Sequence, residues 1–126
     1  MERIPIEEFR RVADHYDGVV RATPGIDRFC SVSDWLFAAR AAWGGRTPVR
    51  ILRGKHGYAA FQDHTDPDGT RLMLSFDSMW GFNCPLVGSD PAALVEEFAD
   101  YLGGCPSTWN VVLISGLRRD SQMFRS

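Results

Sequence analysis

The sequence has little of several features that mark specialised classes of protein. Lys55 is the only lysine in 126 residues, and the other basic residues are arginines dispersed among acids, for a formal net charge of −2. A nucleic-acid partner is therefore not expected, because that kind of interface needs clustered Lys and Arg. No apolar run approaches the roughly 20 residues that span a bilayer, so no membrane partner is expected either.

Cysteine is also scarce. Cys30, Cys84 and Cys105 are widely spaced and form no Cys-x-x-Cys pair, so no metal site is expected. An odd number of cysteines argues against a disulfide framework and favours a reducing compartment. The N-terminal stretch "MERIPIEEFRR" has no apolar core of the kind that a signal peptide needs. Together these features predict a cytoplasmic protein of bacterial type.

Helical patterns are present in the N-terminal third. Apolar residues from Ile6 to Val19 recur at spacings of three and four, which is typical of one face of a helix. The segment "SVSDWLFAARAAWGG" predicts a second helix, with Ser31 or Ser33 as its N-cap and the paired glycines as its end. In that second helix, Trp35 and Trp43 are expected to share a face.

Strand patterns occupy most of the remaining chain. The runs "PVRIL" and "YAAFQ" flank a glycine-bounded link and predict a hairpin, and "RLMLSF" predicts a third strand. The segment "DPAALVEEFADYLGG" predicts a helix with Asp90 as N-cap and Pro91 in its first turn. Because "WNVVLISGL" is almost wholly apolar, it predicts a fourth strand in the sheet interior, covered on both faces.

The resulting order, α-α-β-β-β-α-β, predicts one domain over residues 1–126. Its fold class is α/β, of the α+β kind, with a mainly antiparallel central sheet flanked by helices. The order and the segments "FCSVSDWLFAARAAWGG", "WGFNCPLVG" and "WNVVLISGL" resemble the N-terminal half of tandem GNAT acyltransferases. These are of the cellulose-biosynthesis type and are related to the Fem-type aminoacyl transferases. The resemblance covers roughly Phe29 to Leu117 and implies a partial GNAT-like fold, incomplete relative to a full GNAT domain.

The same resemblance implies a chain without catalytic residues, because the N-terminal half of such tandem proteins usually lacks the cofactor site. A catalytic GNAT holds the pyrophosphate of acyl-CoA with a Q/R-x-x-G-x-G/A loop ahead of a helix, where backbone N–H groups receive the anion. The corresponding stretch here, "SMWGFNCPLVGSDP", has no such motif. Pro85 and Pro91 lack donors, and Asp90 brings a negative charge to the place of the phosphate.

Bulky side chains take the place of that motif. Trp80, Phe82, Asn83, Cys84 and Leu86 form the candidate pocket or interface of this protein. Large apolar groups in this connection would either plug a cofactor groove or provide a surface for association.

Three other groups of residues carry weaker signals. Cys84 as a nucleophile would need a neighbouring base such as His56 or His64, and nothing in the sequence places either beside it, so a small buried residue is expected. The motif "HTDPDG" lacks the final Glu of a calcium loop and predicts a polar turn. Glu96, Glu97 and Asp100 predict a solvated helix face rather than an acid–base pair.

Three functions remain open at this point. The favoured one is a non-catalytic GNAT-like module that acts through self-association, as a homo-oligomer, or through a partner protein, with no cofactor. One alternative is an acyl-CoA-dependent N-acyltransferase with a degenerate cofactor site, and the other is a binder of small apolar ligands near Trp80 and Phe82.

Overall fold

A six-stranded sheet forms the centre of the computed structural model, which describes residues 1–78 and 80–126. Met79, inside the stretch discussed above, lies outside the described residues. In chain order, the elements are β1 (Glu2–Ile4), α1 (Ile6–Arg11), α2 (Ala13–Ala22), α3 (Ser33–Ala39), a π-helical turn (Arg40–Gly44), β2 (Val49–Arg53), β3 (Tyr58–Thr65), β4 (Arg71–Leu74), β5 (Leu86–Val87), α4 (Pro91–Gly103), β6 (Val111–Val112) and α5 (Gln122–Arg125). The predicted α+β fold class is confirmed.

The sheet is mainly antiparallel, also as predicted. Its strand order is β1-β2-β3-β4-β6, and β5 pairs with β3 beside β4. All pairings are antiparallel except that of β4 with β6, in which Met73 lies opposite Val112. The expected hairpin is present as β2 and β3, where Ile51 pairs with Ala60.

Helices cover both faces of the central strand β3. Residues 58 to 61 of this strand are all buried, and successive side chains of a strand point to opposite faces. The ring of Tyr58 packs edge-on against Tyr16 of α2 with centroids 5.4 Å apart. On the opposite face, Phe61 stacks on Phe98 of α4, also at 5.4 Å. Since β3 has helices on both sides, its run of apolar residues is explained by burial.

The N-terminal amphipathic segment is two helices rather than one. The chain leaves helical geometry at Val12, with φ −100° and ψ 13°, so that α1 ends and α2 begins there. The predicted apolar face is nevertheless the one that faces the core. Phe9 and Tyr16 have no exposed surface, and the other predicted members of the face pack against the core while partly buried, namely Ile6, Val12 and Val19. Because of this bend, side chains of both α1 and α2 are buried in the core.

Neither predicted serine caps the next helix. Val32 is the N-cap residue of α3 and makes no side-chain cap bond. Ser33 instead donates through its backbone N and its Oγ to the two carboxylate oxygens of Asp17, at 2.7 and 2.9 Å. A carboxylate on α2 thus satisfies donors at the start of α3, which joins the two helices. The prediction for α4 is confirmed, because the Asp90 side chain accepts from the backbone N of Ala93 at 3.2 Å.

The predicted interior strand is wrong. Of the predicted strand, residues 109–117, only Val111 and Val112 are in register with β4, and β6 lies at the edge of the sheet. Val111, Leu113 and Ile114 remain 44%, 48% and 38% exposed. An unbroken apolar run predicts a strand whose side chains are buried, but it does not show whether this chain or another one buries them.

A cation–aromatic cluster attaches the segment before β6 to the sheet. The Arg50 guanidinium contacts the Asp63 carboxylate at 2.9 Å and lies over the Trp109 ring, 4.6 Å from its centroid. Trp109 in turn donates its indole N–H to Asp63 at 3.1 Å. All polar groups of this cluster have partners, so it holds the chain in place at the start of the exposed edge.

Glu97 corrects the expectation that the acids of α4 are only a solvated face. Its two carboxylate oxygens accept from the backbone N–H groups of Lys55 and His56, at 2.8 and 3.0 Å. A Cβ at Gly54 would meet this carboxylate, so a larger residue there would displace Glu97 from the turn. Glu97 therefore connects the β2–β3 turn to α4.

We expect Glu97→Ala to lower the free energy of unfolding by about 1–3 kcal/mol, because two backbone donors lose a charged acceptor. Glu96→Ala, at the exposed neighbouring position, is the matched control and should change stability by less than about 0.5 kcal/mol. Urea denaturation of both variants measures the difference, and equal stabilities would contradict the assigned role of Glu97.

Candidate functional site

The loop from Asp77 to Pro85 joins β4 to β5 and has an outer and an inner part. Trp80 and Phe82 are 52% and 53% exposed, whereas Asn83, Cys84 and Leu86 have no exposed surface. The five residues singled out from the sequence thus do not form one pocket. Two of them belong to the protein surface, and three belong to the interior.

Hydrogen bonds to Asp77 hold the conformation of this loop. It is fully buried, and its Oδ2 accepts from the backbone N of Asn83 at 2.9 Å and from the indole Nε1 of Trp35 at 3.0 Å. Its backbone carbonyl accepts from the N–H groups of Trp80 and Gly81, at 2.8 and 3.0 Å. Asp77 thereby closes the turn with its main chain and links it to α3 with its side chain.

Asp77 is not among the residues singled out from the sequence, although one signal points to it. An Asp that begins a turn commonly accepts hydrogen bonds from the residues after it. The turn also contains Gly81, whose φ of 70° lies in the left-handed region that glycine adopts without strain. An Asp followed four residues later by Gly, between a strand and a second apolar run, indicated a side-chain-stabilised turn.

Backbone donors further along the connection are also occupied. The N–H of Cys84 donates to Ser31 Oγ at 3.1 Å, and the N–H of Gly88 donates to Thr23 Oγ1 at 2.8 Å. At the start of α4, Ala93 N–H donates to the Asp90 side chain. A phosphate bound here would have to compete with these protein acceptors for the backbone N–H groups.

The inner part of the loop includes one polar atom without a partner. The Oδ1 of Asn83 is buried and accepts no hydrogen bond among the described residues. The backbone carbonyl of Asn83 does accept from Ser115 Oγ, at 2.9 Å. This bond brings the loop against the chain that follows β6.

Cys84 lies in this interior. Burial raises the pKa of its thiol to about 12, although a hydrogen bond with the Leu86 backbone lowers it in part. Because the reactive species is the thiolate, a thiol with that pKa stays protonated and unreactive at neutral pH. The arrangement supports a structural cysteine.

An aromatic cluster surrounds the outer part of the loop. Trp80 packs against Trp35 and Trp43, with ring centroids 5.6 and 4.6 Å apart, and Phe29 lies 6.0 Å from Trp35. A cleft of about 340 Å³, here called the tryptophan cleft, is lined by Trp35, Ala38, Ala39, Ala42, Trp43 and Trp80. The Trp35 N–H is already bonded to Asp77, so this cleft presents apolar surface.

The exposed edge of the sheet lies beside the same loop. Gly116, which follows Val111, Leu113 and Ile114 in the chain, sits against the Phe82 carbonyl, where a Cβ would not fit. We call these three residues together with Phe82 the apolar edge.

The possible metal ligands do not converge. Within residues 1–78 and 80–126, no group of three or more His, Cys, Asp or Glu side chains could hold a metal ion. In the predicted polar turn, Asp68 accepts from the N–H of Thr70 at 2.9 Å, and His64 contacts Asp66 at 3.0 Å. These carboxylates stabilise the turn itself.

Comparison of the chain with protein-family models, with curated proteins and with solved structures found no match in any of the three. The resemblance to the GNAT fold therefore stays a prediction. Among the described residues, no helix is both long enough and apolar enough to cross a membrane.

We expect native Cys84 to react with a thiol reagent such as iodoacetamide far more slowly than Cys105, because Cys84 is fully buried and Cys105 is partly exposed. Mass spectrometry of peptides after timed labelling at pH 7.5 measures both residues in one sample. Labelling of Cys84 as fast as Cys105 would contradict a closed inner loop. Denatured protein, in which both should react alike, is the control.

Proposed function

We propose that this chain is a non-catalytic GNAT-like module that acts by self-association through its apolar edge. The observation that carries the proposal is the exposure of Val111 in the edge strand β6 and of Leu113 and Ile114 directly after it. An edge strand presents backbone groups that another strand can pair with, and apolar side chains beside them favour such pairing.

The two edges of the sheet differ in a way that supports this choice. At the β1 edge, Glu2 and Arg3 are exposed, and Arg53 on the neighbouring strand forms salt bridges with Glu2 and Glu8. Charged side chains of this kind discourage pairing between edges. The β6 edge carries exposed aliphatic residues instead, so the two edges of one sheet have opposite character.

A second copy of the chain is the occupant that this edge fits. A strand edge that meets its own copy across a two-fold axis presents the same apolar residues from both sides, which is the geometry of most homodimers. Phe82 lies beside the edge and would extend the contact. Pairing would remove from water the surface that the fold leaves uncovered.

The acyltransferase alternative has less support from the geometry. Its cofactor needs free backbone donors ahead of a helix, but Asn83, Cys84 and Gly88 donate to Asp77, Ser31 and Thr23. Calorimetry with acetyl-CoA addresses this alternative, and a dissociation constant in the low micromolar range would favour it over association.

A small apolar ligand is the second candidate function, because the tryptophan cleft has a volume of about 340 Å³ and an apolar lining. That volume lies at the lower end of the range for small-molecule sites. Saturable quenching of tryptophan fluorescence by an apolar quencher such as bromobenzene, lost in Trp43→Ala, would support this function.

We expect Leu113→Lys to shift the chain from dimer to monomer, because each edge would then carry a charge that the pairing must bury. Sedimentation velocity across a range of protein concentrations measures the change. Phe124→Lys, at another exposed apolar position, is the matched control and should leave the mass unchanged. A wild-type chain that stays monomeric at all accessible concentrations would contradict self-association.

A further inference from the structure

A large cleft lies apart from the residues proposed for association. Its volume is about 560 Å³, and it is situated between α2 and the turn that joins β2 to β3. It is lined in part by Asp14, His15 and Val19 of the helix and by Lys55, His56 and Tyr58 of the hairpin. The volume falls within the range of 300–1,000 Å³ that is typical of small-molecule sites.

Both walls of the cleft are held in place by the fold. Tyr16 and Val20 anchor α2 because both are fully buried. On the other side, Glu97 holds the turn through the N–H groups of Lys55 and His56. Gly18 on the helix leaves the cleft open. A cleft with two fixed walls needs little reorganisation to bind a ligand.

A histidine–tyrosine pair lies at this cleft. His15 Nδ1 and the Tyr58 hydroxyl are 2.7 Å apart. Burial raises the pKa of Tyr58, although the nearby Arg53 guanidinium lowers it in part, so the hydroxyl stays protonated at neutral pH. When that hydroxyl donates to Nδ1, the neutral imidazole carries its own proton on Nε2. The exposed His15 ring then offers an N–H donor.

The cleft carries charges of both signs, and Lys55 also borders Glu96 and Asp100 of α4. Arg53 is compensated by Glu2 and Glu8, and Glu97 is engaged with the backbone of the turn. The described residues form no salt bridge to Lys55, whose side chain lies at the opposite wall from His15.

Asp14 is the acid on the helix wall. Its charge offsets that of Lys55, so the N–H donors of the cleft suit a single anionic group rather than a polyanion. The anionic group suits the donors, and the apolar remainder of the ligand suits Val19 beside the small residues Gly18 and Ala22.

We propose that this cleft binds a small organic anion, with its carboxylate or phosphate group held between His15 and Lys55. The shared chemistry is an oxyanion that accepts hydrogen bonds from an imidazole N–H and an ammonium group. This site is independent of the proposed association, since it shares no residue with the apolar edge.

The test is a titration of the full-length chain, followed by NMR of the histidine ring nitrogens. Phenyl phosphate and benzoate are the two anionic probes, and benzyl alcohol is the neutral probe of similar shape. We expect the His15 signals to shift saturably with at least one anion and not with benzyl alcohol. Saturation by phenyl phosphate alone indicates a phosphate ligand, and saturation by benzoate alone indicates a carboxylate ligand.

Two variants identify the residues that hold the anion. We expect His15→Ala and Lys55→Met each to weaken binding about tenfold or more, the loss typical of one charge-assisted hydrogen bond. Calorimetry measures binding to the first variant, and the His15 signals report on the second. His64→Ala, at an exposed histidine near the end of β3, should leave the affinity unchanged. Absence of saturation with both anions, equal binding of benzyl alcohol, or undiminished affinity in Lys55→Met would overturn the proposal.

Discussion

The hydrogen bonds of the buried Asp77 carboxylate hold the loop that presents Trp80 and Phe82 at the surface. A charged group inside a protein is costly unless hydrogen bonds satisfy it, and the described residues form no salt bridge to Asp77. Ser75, Trp35 and Asn83 supply the donors instead. Ser75 directly follows β4, Trp35 lies on α3 and Asn83 lies in the loop. The Asp77 side chain therefore links three parts of the fold.

The outward position of Trp80 and Phe82 follows from this arrangement. The backbone N–H of Asn83 donates to Asp77 inside the protein, and Trp80 and Phe82 before it lie at the surface, each about half exposed. Together with the bonds from Cys84 to Ser31 and from Gly88 to Thr23, the bond from Asn83 to Asp77 occupies backbone N–H groups that an anionic cofactor would need. These contacts disfavour a phosphate-binding loop, and we place function at the apolar edge, which includes Phe82 on the outside of this loop.

Local features of this fold could be predicted from the sequence, and features set by distant partners could not. The N-cap at Asp90 and the β2–β3 hairpin depend on neighbouring residues, and both were predicted correctly. Trp35 and Asp77 are 42 residues apart, and Glu97 is 41 residues from His56. No periodicity encodes such pairs. The edge position of β6 was missed for the same reason, because an apolar run looks alike whether this chain or another one covers it.

Amide hydrogen exchange at Asn83 and Cys84 tests most directly whether the inner loop is closed by protein acceptors. Their N–H groups donate to Asp77 and Ser31 inside the protein, so their exchange should be as slow as that of Ala60 in the buried strand β3. Exchange at Asn83 and Cys84 as fast as in an unstructured peptide would contradict the account, because the donors would then be free to receive a cofactor.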